Sequence, residues 1–99
     1  MITIDDIKKN SKPHSIGYGR MVRYGNDKLI FSVVGGYQSL YGDFEKTFEV
    51  AIIDKETNEF VTDYFMSESN GGVAGWISAD ELVRITNQVF KNGFQFYHN

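Results

Sequence analysis

Apolar residues recur at every second position over residues 16–24 and 44–52 of this chain and at helical spacing in only one long stretch near its C-terminus. That mixture restricts the fold more than any other feature. Ile16, Tyr18, Arg20, Val22 and Tyr24 alternate with Gly17, Gly19, Met21 and Arg23, and Phe44, Phe48, Val50 and Ile52 alternate with Glu45, Thr47, Glu49 and Ala51. Period two sends alternate side chains to opposite faces of a strand, so each segment has one face to bury. Leu82, Ile85, Val89 and Phe90 instead share one face of a helix. The class predicted is α+β: an antiparallel sheet of four to five strands in two consecutive hairpins, packed against one C-terminal amphipathic helix, with a short N-terminal helix, all in a single domain over residues 1–99.

Turn and cap residues punctuate these elements. Thr3 and Asp6 have capping-box spacing for a helix through Ile7, and Pro13 ends it, leaving residues 11–15 as a loop. Gly25, Asn26 and Asp27 join the strand ending at Tyr24 to the apolar run 29–34, which Gly35 and Gly36 close. Residues 37–42 read as a surface loop. Asp54 and Asn58 suit a tight connection, with Asn58 in the left-handed region, to a returning strand over residues 60–66. Gly71, Gly72 and Gly75 make residues 67–75 the most mobile interior segment, a flexible linker or lid. Ser78 and Glu81 form a second capping box, Ile77 can staple on Leu82, and Lys91 and Gly93 close the helix. Phe94 and Phe96 alternate with Gln95 and Tyr97 in a terminal strand reaching His98.

The chain has no cysteine, so no disulfide framework or thiolate metal site is available, and packing must hold it together. With 41% hydrophobic and 15% aromatic residues it can supply a core. The N-terminal residues lack the apolar core of a signal peptide, and no run of 18 apolar residues occurs, so neither secretion nor membrane spanning is expected and a cytoplasmic protein is. The only histidines, His14 beside a proline and His98 beside the end, read as solvated. No serine lies in a nucleophile elbow, no glycine pattern has the lysine of a phosphate loop, and Glu45 and Glu49 read as a solvated strand face rather than an acid pair. No catalytic, cofactor or metal residue is assigned.

What remains is recognition. The formal charge of −3 hides an asymmetry: residues 1–42 hold six Lys and Arg against three Asp and Glu, and residues 43–68 hold two Lys against eight Asp and Glu. An acidic surface can meet a basic groove on a larger protein. Trp76 either closes the core or anchors a partner beside Val73, Tyr64 and Phe65. The leading expectation is a small non-enzymatic protein-interaction module using Glu45, Glu49, Asp63, Tyr64, Gly71, Gly72 and Trp76. By acidity, compactness and lack of cysteine, and by no motif, it looks like short accessory proteins of bacteriophages and mobile elements, some of which inhibit host enzymes. A nucleic-acid-binding sheet using Tyr18, Arg20, Arg23 and Tyr24 is the alternative, and the pI of about 5.2 argues against it. A small-molecule-binding domain or enzyme with acids scattered in sequence is the third. Self-association is open too, through the edge of the apolar strand at residues 28–34 or of the terminal strand.

Overall fold

The computed structural model describes residues 1–38 and 40–97. The elements run α1 (Ile4–Lys9), β1 (Lys12–Pro13), β2 (Arg20–Gly25), β3 (Leu29–Gly35), β4 (Thr47–Asp54), a single 3-10 turn (Thr62–Tyr64), β5 (Ser69–Asn70), β6 (Val73–Ser78), α2 (Ala79–Val89) and β7 (Gln95–Tyr97). All pairings are antiparallel, in the order β1-β2-β3-β4-β6-β5, with β7 joining the free side of β2 beyond β1. The α+β class and both helices are as the periodicity predicts. The strands are more numerous and shorter, and they are connected differently.

The first hairpin forms where alternation placed it. Val22 pairs with Val33 and Tyr24 with Phe31, and the Asn26 side chain accepts the backbone N–H groups of Lys28 and Leu29 at 2.8 and 2.9 Å to close the turn. Residues 15–19, expected as the start of this strand, are turns and bends instead, with Gly17 and Gly19 at φ 92° and 79°. Lys12 and Pro13, expected as loop, add a two-residue strand to β2. The Asp54 connection also forms: its carboxylate accepts the N–H of Glu56 at 2.9 Å and of Thr57 at 3.2 Å, and Asn58 sits at φ 62°.

The second hairpin is not the expected one. Residues 60–66 carry β-forming aromatics, yet only Phe60 bridges to Ile53 before the chain turns into the 3-10 element. The partner of β4 is β6, which contains Val73, Ala74 and Gly75 of the segment expected to be a flexible linker. Gly71 and Gly72, both at positive φ, form the two-residue turn from β5 into β6, where left-handed backbone suits the twist of the strands. Long-range pairing with Phe48 and Val50 overrides the low strand propensity of a glycine-rich stretch.

Both helices are capped at their N-termini. In α1, Thr3 and Asp6 make the reciprocal capping box. In α2, Ser78 accepts the N–H of Glu81 at 3.2 Å, but the Glu81 carboxylate turns to Arg84, whose Nε lies 2.6 Å away and whose hydrogen bond holds that carboxyl below its ordinary value. Phe90 ends the helix, so Gly93, at φ 109°, belongs to the turn beyond it rather than to the cap. Ile7 from α1 and Leu82, Ile85 and Phe90 from the α2 segment pack on one face of the sheet against Val22, Tyr24, Phe31, Val33, Phe48, Val50 and Ile52. Within this core the Tyr24 hydroxyl lies 2.8 Å from Thr86 Oγ1, so both buried hydroxyls are satisfied.

Candidate functional site

Trp76 does not close the core. It is 64% exposed and lies at φ 57°, a left-handed conformation that a residue with a Cβ seldom adopts. The cause is a β-bulge. Phe48 pairs with Ile77 and Val50 with Ala74, so Gly75 and Trp76 together oppose the single residue Glu49. The extra residue turns the indole out of the sheet, while the backbone N–H of Trp76 donates to the carbonyl of Tyr41 at 2.7 Å.

That bond ties β6 to the loop between β3 and β4. Gly75 permits the approach, since a Cβ there would lie 2.6 Å from Cβ of Tyr41. The Glu49 carboxylate accepts the Tyr41 N–H at 2.9 Å and fixes the loop from the other side. The glycines Gly36 and Gly42 sit under a shallow hollow walled by Tyr37, Leu40, Asp43 and Trp76. On its far side Tyr37 stacks on Tyr18, with ring centroids 4.7 Å apart and planes 15° from parallel. Tyr18, Tyr37, Tyr41 and Trp76 are all exposed. They form an aromatic ridge at one end of the sheet.

The ridge has an acidic rim. Asp43 Oδ1 accepts the N–H groups of Thr47, Glu45 and Lys46 at 3.0, 2.8 and 2.8 Å, and these bonds, led by that of Thr47, hold its carboxyl well below the usual range. The carboxylate is therefore charged at any physiological pH and fixes the start of β4. Because its folded value is depressed, its contribution to stability is complete above the ordinary carboxyl range near pH ~4 and is lost as the pH falls below it. Thermal melts of Asp43→Asn should lose part of the wild-type decline between about pH 4 and pH 2. An unchanged acid limb would show that these three bonds do not form in solution.

The expected site residues separate into groups. Trp76 and Glu49 belong to the ridge. Glu45 is not on a strand; it precedes β4 and lies 3.7 Å from Lys8, both on the α1 side. Asp63, Tyr64, Gly71 and Gly72 form a second cluster, where Asp63 accepts a hydrogen bond from Ser69, Gly72 packs under Phe60, and Tyr64 is 85% exposed. The proposed nucleic-acid set does not form one surface. Tyr24 is fully buried, which removes its ring from any base and pushes its phenol pKa upward. Arg20 reaches back to the hydroxyl and carbonyl oxygens of Ser11 at 3.1 and 2.8 Å, while Arg23, an odd number of residues away on β2, points to the opposite face. Tyr18 alone of that set joins the ridge.

Sequence reasoning missed Tyr37, Leu40 and Tyr41. The available signal was three large apolar side chains in a glycine-flanked stretch without period two or 3.6, a pattern that has no face to bury. Among the described residues no three His, Asp or Glu side chains converge on a metal position, and no helix is long and apolar enough to cross a membrane. His98 lies outside the described residues. Comparisons with protein-family models, curated proteins and solved structures found no match to this chain.

Proposed function

We propose that this chain is a non-enzymatic protein-binding module whose contact surface is the aromatic ridge of Tyr18, Tyr37, Tyr41 and Trp76. One observation carries the reading: the only tryptophan of the chain is turned into solvent by a left-handed backbone. Such strain persists where the surrounding structure imposes it, and it concentrates at functional positions. Tryptophan and tyrosine are also the residues that dominate binding energy at protein interfaces, because they bury much area for little lost conformational freedom. The hollow between Tyr37 and Trp76 suits an apolar side chain, and Asp43 and Glu49 on its rim favour a partner segment with a neighbouring Lys or Arg. In this reading the chain is an accessory protein that acts by covering part of a larger one.

The test is capture from lysate with tagged wild type and tagged Trp76→Gly side by side, each with and without nuclease. A protein held by wild type through nuclease treatment and lost from the variant supports the reading. Cargo held equally by both, or consisting only of nuclease-sensitive nucleic acid, refutes it.

A further inference from the structure

The apolar strand expected to expose an edge for self-association, β3, is flanked on both sides by β2 and β4, and the outer segments β1, β5 and β7 are only two or three residues long. Exposed side chains are the better guide to a contact. Beyond the ridge, Phe60, Tyr64 and Phe65 are all exposed within six residues, on either side of the buried Thr62. The Tyr64 N–H donates to the carbonyl of Val61 at 3.1 Å, so the chain doubles back and sets the backbones of Phe60 and Tyr64 within about 10 Å of each other. Thr62 and Met66, both buried, fasten the turn from below. Phe60 lies so close over Gly72 that a Cβ there would come within 2.7 Å of its ring. These aromatics stand on a fixed support.

The charge around them is of one sign. Residues 54–70 hold five Asp and Glu against one Lys, and the rest of the chain holds eight against nine Lys and Arg, so this stretch carries all of the net negative charge. Its one cation is turned aside, with Lys55 Nζ lying 5.5 Å from the centre of the Tyr97 ring on β7. Arg84 on α2 lies within the field of Glu68 but bonds to Glu81. Glu59 and Asp63 are exposed and flank Phe60 and Tyr64 in sequence, and Asp63 accepts from the Ser69 hydroxyl, a neutral donor that does not balance its charge. Neither ion pair found among the described residues involves an acid of this stretch.

We propose that Phe60, Tyr64 and Phe65 form a second contact surface, independent of the ridge, whose occupant is an arginine-bearing segment of a partner protein. The rings make the surface and the acids select what covers it. A guanidinium is planar: it stacks on an aromatic ring with its face while the N–H groups along its edge bond to a neighbouring carboxylate. A lysine ammonium answers the same charge, but it has no plane to stack and no fork to offer the carboxylate. Phe60 bridges to Ile53 and Trp76 opposes Glu49, four residues away along β4, a separation of about 13 Å. An arginine seated on the turn therefore makes its contacts without the indole.

Fluorescence anisotropy with two labelled probes tests it: a short Gly/Ser peptide carrying several Arg residues, and the same peptide with Lys at each of those positions. Wild type should bind the Arg peptide at least about fivefold more tightly than the Lys peptide. Tyr64→Ala should erase most of that preference, and its melting temperature should stay at the wild-type value because the ring is exposed. Asp63→Asn, which keeps an oxygen to accept from Ser69, should weaken both peptides by about fivefold. Trp76→Gly should leave both affinities unchanged. Equal affinities for the two peptides would reduce the patch to a diffuse negative field and overturn the proposal. So would a full Arg preference in Tyr64→Ala, a loss of binding in Trp76→Gly, or no binding of the Arg peptide up to millimolar concentration.

Discussion

Thr62→Val is expected to lower the stability of the fold by about 3 kcal/mol, although it exchanges side chains of nearly equal volume. Thr62 is fully buried at the start of the 3-10 turn. Its Oγ1 accepts the N–H of Ile52 in β4 at 2.8 Å and donates to the carbonyl of Gly72, at the β5–β6 turn, at 2.6 Å. One hydroxyl therefore joins three elements that share no continuous ladder at this point. Valine leaves a buried donor and a buried acceptor without that partner, at a cost of about 1–3 kcal/mol each. For a chain of this length the loss corresponds to a fall in melting temperature of about 12–20 °C. Thr62→Ser keeps the oxygen and loses only a methyl group, so it should fall within about 1 kcal/mol of wild type. Thermal and urea unfolding of the two variants decide the matter: equal losses for valine and serine would mean that Thr62 acts by packing.

The same residue shows where sequence reasoning stopped. Residues 60–66 contain Phe60, Val61, Tyr64 and Phe65, a composition that suits a strand, and Asp54 and Asn58 supply a turn that leads back towards β4. Only Phe60 and Val61 follow β4, through the bridge to Ile53 and the bond from the Val61 N–H to the Ile52 carbonyl. Thr62 then bonds to the strand through its side chain where a strand residue would use its backbone. The vacated side of β4 goes to Val73–Ser78, whose glycines concealed it. Local patterns identified the pairing of β2 with β3, the Asp54 turn and the N-cap residues Thr3 and Ser78 because each depends on residues near in sequence. The pairing of β4 with β6 depends on contacts 24 to 31 residues apart, which no window of propensity contains.

The candidate site divides along the same line. Trp76 was legible as a residue of interest because an indole between a glycine-rich stretch and a helix cap must close a core or meet a partner. Its direction was not, because the bulge exists only once Phe48 and Val50 have fixed the register on either side of Glu49. Likewise Tyr24 looked equivalent to Tyr18 on an alternating face. The strand begins at Arg20, however, so Tyr18 lies in the bend beyond its end, while Tyr24 lies beneath Phe90, Phe94 and Phe96. Alternation reports which side chains share a face, and it says nothing about where along that face the helices stop.

Trp76→Gly separates binding from folding and should have the largest functional effect of any single change. Glycine adopts φ 57° without the roughly 1 kcal/mol that a Cβ costs in the left-handed region, and little packing is lost because the indole is largely in solvent. The greater freedom of glycine in the unfolded chain costs a comparable ~0.5–1 kcal/mol. The two effects nearly cancel, so the melting temperature should stay within about 6 °C of wild type. The backbone bond to the Tyr41 carbonyl survives, because the N–H is kept. Binding should fall at least ~30-fold, the loss of a central aromatic anchor worth about 2 kcal/mol or more. Trp76→Ala should lose as much affinity and match the glycine variant in stability to within about 1 kcal/mol, since it keeps the strained Cβ but avoids the unfolded-state freedom of glycine. As the only tryptophan, Trp76 also reports the wild-type complex directly. Its emission should lie to the red in the free protein and move to the blue as the partner excludes water from the indole. Full affinity in Trp76→Gly, or an emission unchanged by a saturating partner, would place the contact surface away from the ridge.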